Sequence, residues 1–215
     1  MSVPVPKVGL VPDVAFKDLC LDTCRPAEVG PYWRDLLGLQ GVQQAGGDWQ
    51  LSGSRAEQTI WVNTVPEPKA AKSRVHLDVR VPGREGPGWD ARTDPDGLEW
   101  CAFSPRDGGT GLYEVVVDAA DPRAIAQWWA DRTGGTVHED GNPWVWLEGV
   151  AGFPYAYWVF QPVPEPKTVK NRVHWDVSLR DATVDDLVAA GAVVLEVLPS
   201  WTVLADPEGN EFCAF

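Results

Sequence analysis

Arg172, His174 and Asp176 alternate with Val173, Trp175 and Val177. That period of two is the pattern of a strand with one apolar face and one polar face. The β-branched run Tyr113–Asp118 reads as another strand, with Glu114, Val116 and Asp118 on one face. Two short aromatic-rich strands are expected near 143–147 and 155–160, where Tyr157, Val159 and Gln161 share a face. Glu211, Cys213 and Phe215 share a face of a last strand. Between these strands the period changes. Asp121-Pro122 opens a helix that buries Ile125, Trp128 and Trp129 and stops at Gly134-Gly135. Thr183 and Asp186 form a capping box for a second helix over 183–190, ended by Gly191. Strands at 193–197 and 201–205 follow, and Asp206-Pro-Glu-Gly209 makes the hairpin turn into the last strand. The second half therefore reads strand–helix–strand–strand, twice. The first half repeats it, with Gly30-Pro31 predicting a short or restarted first helix.

The chain is written twice. Val65–Val79 returns as Val163–Val177 at an offset of 98, with 11 of 15 positions identical. Asp94–Phe103 returns as Asp206–Phe215 at an offset of 112, and Tyr32-Trp33 returns as Trp128-Trp129 at 96. Three blocks in one order identify a tandem duplication, with domains over 10–105 and 111–215. The rise in offset means that the second copy holds 14 residues that the first lacks (29 from Val177 to Asp206, against 15 from Val79 to Asp94). They include the helix 183–190. The first copy has Val81-Pro-Gly-Arg-Glu-Gly-Pro-Gly88 there, which cannot be helical.

Composition narrows the partners. The 215 residues are 44% hydrophobic and 23% charged, an ordinary globular balance. The net charge of −13 disfavours nucleic acid and anionic membrane. No apolar run approaches the ~20 residues of a membrane-spanning helix. The start, Met1–Asp13, lacks the apolar segment of a signal peptide, so a cytoplasmic protein with reduced thiols is expected. The twelve tryptophans are the one anomaly.

The pattern of units, the Trp129 helix ending at Gly134, the run Lys170-Asn-Arg-Val-His-Trp-Asp176 and the hairpin Asp206-Pro-Glu-Gly-Asn-Glu-Phe-Cys213 resemble the vicinal oxygen chelate superfamily, and more closely its glyoxalase-like domain. The resemblance implies an α+β fold in which paired βαβββ units form two such domains, the first degenerate for want of a helix. It implies a cradle in each, holding a divalent metal (Zn, Fe, Mn or Ni) where one is used. Matched position by position, Glu114, Gln161 and His174 fall on three metal-ligand positions, and Cys213, with Glu211 beside it, takes the fourth, where the family usually has Glu. The first copy offers Asp18, Asn63, His76 and Cys101 with Glu99. A thiol in the fourth place departs from both the glyoxalase and the iron dioxygenase sets.

Two functions follow as expectations. One is a metal-dependent lyase, isomerase or dioxygenase acting on a small oxygenated molecule, with Glu211 or Cys213 completing the shell or moving a proton. The other is a metal-free protein that sequesters a cationic or aromatic compound, like bleomycin-resistance proteins. Arg172 and Asp176 could bind ligand from the polar row, or simply pair with each other. Trp146 and Trp158 could floor an aromatic pocket, whereas Trp33, Trp128, Trp129 and Trp175 are read as core. Cys101 and Cys213 read more readily as packing than as ligands, Cys20 and Cys24 as core or edge residues, and His138 as an exposed loop residue. The fused halves point to a monomer or a homodimer with a small-molecule partner.

Overall fold

The computed structural model describes residues 11–215; residues 1–10, on which the expected lack of a leader chiefly rests, lie outside them. The order is β1 (Val14–Thr23), α1 (Pro26–Leu37), β2 (Gln40–Gln43), β3 (Trp49–Ser52) and β4 (Ile60–Thr64), then β5 (Val75–Arg80), β6 (Trp89–Thr93) and β7 (Glu99–Phe103). The second copy supplies β8 (Gly111–Ala119), α2 (Pro122–Thr133), β9 (Thr136–His138), β10 (Val145–Glu148) and β11 (Tyr157–Pro162). It ends with β12 (Val173–Leu179), α3 (Val184–Ala189), β13 (Val193–Val197), β14 (Thr202–Ala205) and β15 (Glu211–Ala214). This is the α+β fold of repeated βαβββ-type units. Among the described residues, no helix is long and apolar enough to cross a membrane.

The capping signals act as read. Asp121 accepts from the Ala124 N–H, Thr183 and Asp186 cap α3 reciprocally, and Gly134 ends α2 in the left-handed region. The segment before β6 carries no helix in the first copy. One expectation is corrected. Helix α1 runs through Pro31 without a restart. Its apolar face, Val29, Gly30 and Trp33, is buried, and this packing outweighs the backbone bond that proline removes. Gly30 is required for that fit, since a Cβ there would lie 2.4 Å from the Trp49 ring.

The pairing of units differs from a pairing within each copy. An eight-stranded sheet runs β13-β14-β15-β12-β1-β4-β3-β2, and a seven-stranded sheet runs β6-β7-β5-β8-β11-β10-β9. Each sheet takes one unit from each copy. Strand β1 pairs antiparallel with β12, with Cys20 opposite His174 and Asp18 opposite Asp176. Strand β5 pairs antiparallel with β8, with His76 opposite Val116 and Asp78 opposite Glu114. The short link after β7 carries the chain straight into β8 in the same sheet, as consecutive elements usually do. The first and last units are left to pair with each other.

The two copies of the repeated Val-Pro-Glu-Pro-Lys loop carry the chain between the sheets, and they clasp each other. Arg74 donates to the Glu165 carbonyl, and Arg172 donates to the Glu67 carbonyl at 2.5 Å. The core between the helices and both sheets is continuous and rich in tryptophan: Trp33, Trp100, Trp129, Trp158 and Trp175 are all fully buried.

Candidate functional site

The exchange of units decides which side chains meet. Glu114 and Gln161 belong to the seven-stranded sheet, whereas His174, Glu211 and Cys213 belong to the eight-stranded one. The expected trio Glu114, Gln161 and His174 therefore does not assemble. Instead, Glu114 and Gln161 meet His76, Asp78, Glu99 and Cys101, while His174 and Cys213 meet Asp18, Cys20, Asp22 and Asp176. Each sheet thus carries one polar cluster of similar design on one face.

A single position separates the two clusters. Both antiparallel pairs carry a β-bulge, and the extra residue is Lys17 in β1 and Tyr113 in β8. In the eight-stranded sheet, Lys17 Nζ pairs with Asp18, lies 3.9 Å from Asp176 and stands over the Phe215 ring. The acids there carry an internal cation. In the seven-stranded sheet the equivalent acids are Glu114 and Asp78, and Tyr113 offers them no charge. Arg80 lies over the Tyr113 ring at 4.2 Å instead. Among the described residues, no lysine or arginine comes within salt-bridge distance of Asp78 or Glu114; the basic side chain beside Asp78 is His76.

The consequences are electrostatic. Burial, and then the Glu114 charge, push the Asp78 carboxyl upward, and burial raises Glu114 as well. Asp78 stands opposite Glu114 across the β5–β8 pair and beside Cys101 of β7. Burial and Asp78 push the Cys101 thiol up to about 12. Burial takes His76 down to about 4, so its imidazole is neutral at physiological pH. Its Nε2 lies 3.4 Å from Asp78 Oδ1, which is buried without a hydrogen-bond partner. Ligand atoms of His76, Asp78 and Cys101 lie within 4.8 Å of one another, and so do those of Cys20, His174 and Asp176.

Above the first of these groups opens a cavity of about 610 Å³. Its walls are Trp89, Trp144, Trp146, Tyr113, Tyr157 and Phe103, with Val116 and Val159 beneath. That size and that mix of aromatic walls with a few convergent polar groups is what small-molecule sites look like. Gln161 lines it, but its amide donates to Asp118 at 2.7 Å. Glu99 accepts from Lys69 at 2.7 Å and from the Ser73 N–H at 3.2 Å. His76, Asp78, Cys101 and Glu114 thus form the polar group on the sheet face of the cavity.

Other expected site residues divide as follows. Trp146 lines the cavity, with the half-exposed His138 of β9 stacked on it at 5.7 Å. Trp158 does not line it. It alternates with Tyr157 and Val159 and is buried against Trp129 and Trp175. Arg172 is buried in the clasp at Glu67 and does not pair with Asp176. Asp176 and Cys213 face the Lys17 cluster, and Glu211 is held by Lys167 at 2.6 Å. Burial and Asp176 push Cys213 up to about 12, which keeps it a thiol. Asp78 was missed, although it is the repeat partner of Asp176 and lies on the same strand face as His76.

The profile of the glyoxalase-like domain family matches residues 18–93 and 114–215. The chain belongs to that family, within the vicinal oxygen chelate superfamily. Among solved structures, glyoxalase I from Zea mays superposes with a TM-score of 0.68 at 10% identity, covering 94% of this chain and 92% of that one. A candidate dioxygenase from Bacillus subtilis gives 0.61 at 13% identity, covering 93% and 84%. The cppA protein of Streptococcus pneumoniae gives 0.51 at 8%, covering 94% and 98%. At such identities the likeness is one of fold. No curated protein matches the sequence significantly.

Proposed function

We propose that this glyoxalase-like protein acts on a small oxygenated molecule in the seven-stranded sheet's cavity, with a divalent metal held by His76, Asp78 and Cys101 beside Glu114. The observation that carries this reading is the uncompensated acid pair. Asp78 Oδ1 is buried without a hydrogen-bond partner, 3.4 Å from a neutral imidazole, and among the described residues no lysine or arginine forms a salt bridge with it. A divalent cation (Zn, Fe, Mn or Ni) fits such a mixed N, O and S donor set. When bound, it supplies a Lewis acid for the adjacent oxygens of a substrate. The chain's own residues do the rest. Trp146, Tyr157 and Trp89 orient a flat molecule and exclude water. Glu114, opposite Asp78 and raised by burial, holds or releases a proton at its carboxyl.

A second reading rests on the same acid pair and on the aromatic walls. An organic cation would be attracted by the carboxyls and by the faces of Trp89, Trp144 and Trp146, without any metal.

Elemental analysis of the purified full chain tests the first reading. One metal ion per chain is expected, lost in His76→Ala and kept in His174→Ala. Metal that survives His76→Ala and disappears in His174→Ala moves the site to the other sheet and overturns the proposal. A metal-free wild type whose tryptophan fluorescence is quenched by cationic aromatics supports the second reading.

A further inference from the structure

The clasp between the two Pro-rich loops encloses a second cavity, of about 230 Å³, away from the acid pair. Glu67, Lys69, Lys72, Ser73, Lys170 and Arg172 line it, four cations against one carboxylate in a protein of net charge −13. Three of the cations have partners elsewhere: Lys69 with Glu99 at 2.7 Å, Lys72 with Asp118 at 2.9 Å and Lys170 with Asp22 at 2.5 Å. Arg172 is different. Its Nη2 donates to the Glu67 carbonyl, but its Nη1 is buried without a hydrogen-bond partner. Ser73 Oγ, also buried on this lining, has none either. Two orphaned buried donors at one place are costly unless an acceptor comes to them.

The repeat shows that this is local. Ser73 corresponds to Asn171, whose side chain is satisfied by Asn210 at 3.0 Å. The neighbouring cavity shares Lys72 and Ser73 with this one, but Asp118 and Glu165 are in its lining and no buried arginine is. Glu67 marks what the site attracts. Its half-exposed carboxylate stands 3.9 Å from Arg172 Nη1 and 4.0 Å from Lys170 Nζ, beyond hydrogen-bond distance of both. A free oxyanion in the cavity could approach the two donors directly.

We propose that this cavity is a binding site for a small oxyanion, a phosphate or carboxylate group, held by Arg172 Nη1 and Ser73 Oγ with Lys170 and Lys72 around it. The Glu67 carboxylate then competes for the place. Lys72 and Ser73 also line the large cavity, so the oxyanion site lies at its border and could take the anionic end of a ligand seated there.

The test is isothermal titration of the full chain with inorganic phosphate, and separately with acetate, at constant ionic strength kept with chloride. Saturable binding of one anion per chain is expected for at least one of the two, and the one that binds names the class. Ser73→Ala should weaken it roughly three- to tenfold, the worth of one hydrogen bond. Glu67→Gln should strengthen it severalfold by removing the competing charge. Both changes leave in place the bond from Arg172 to the Glu67 backbone carbonyl, and thermal melts will show that both variants remain folded. No saturable binding of either anion in both the wild type and Glu67→Gln would overturn the proposal. So would binding of the same strength in Ser73→Ala and the wild type.

Discussion

Trp129 Nε1 donates to Asp206 Oδ2 at 3.1 Å, and Trp33 Nε1 donates to Asp94 Oδ2 at 3.0 Å. In each copy the helix tryptophan holds the aspartate that shapes the hairpin of the same copy, while the strands around them pair across copies. Asp206 also accepts from the N–H groups of Glu208 and Asn210. Asp206→Ala would leave these donors unpaired, and a loss of about 2–4 kcal/mol is expected in chemical denaturation.

Burial pushes Asp206 up to about 6. A carboxyl raised on folding contributes stability that is fully present below its unfolded value near 4 and is lost as pH rises through about 6. Asp206→Asn should remove that contribution. Its stability curve between pH 4 and 6 should lose the downward slope that Asp206 gives the wild type. Parallel curves would show that folding does not raise the Asp206 carboxyl.

Lys17 is the built-in cation of the eight-stranded sheet. In Lys17→Met the Asp18 and Asp176 carboxyls lose their partner. Lys17 is a third exposed, so only on the order of 1–2 kcal/mol is expected at neutral pH. The loss should shrink as pH falls, because Asp176, whose carboxyl burial raises, then takes up a proton. A loss that does not vary with pH would contradict a charge-based role.

Trp146 and Trp158 lie on neighbouring strands but on opposite faces of the sheet. Trp158→Ala empties a core packed by Trp129, Trp175 and Phe153, and about 3–5 kcal/mol should be lost. Trp146→Ala should cost far less stability and should weaken ligand binding in the cavity. Thermal melts together with fluorescence titration separate the two effects.

Gly152 approaches the backbone of β1 so closely that a Cβ would lie 2.2 Å from the Phe16 carbonyl oxygen, and its φ is +75°. Gly152→Ala combines a left-handed alanine with a backbone clash, and a loss of about 2–4 kcal/mol is expected in denaturant titration. Gly149→Ala, with open space around its Cβ, should show only the smaller conformational part.

Much of this was legible along the chain. The period-two row Arg172, His174, Asp176, the caps at Asp121 and Thr183 and the Asp206 hairpin are local signals, and local signals survive into the fold. Strand alternation also placed Trp158 opposite Tyr157 and Gln161, although its burial was not drawn from that alternation. Pro31 misled because proline's local cost is small beside the burial of Val29 and Trp33.

The sequence by itself determined the duplication, the fold class and the set of polar positions that face inward. It could not determine which copies share a sheet. Both copies carry equivalent residues at equivalent places, so His76 and His174 are equally good partners for Glu114 on paper. Only the tertiary structure decided it. The short link after β7 puts the middle units side by side, and the clasped Pro-rich loops carry the outer units to each other. That exchange leaves Lys17 to pair with one set of acids and leaves Asp78 and Glu114 facing an open cavity, with no salt bridge to a lysine or arginine among the described residues.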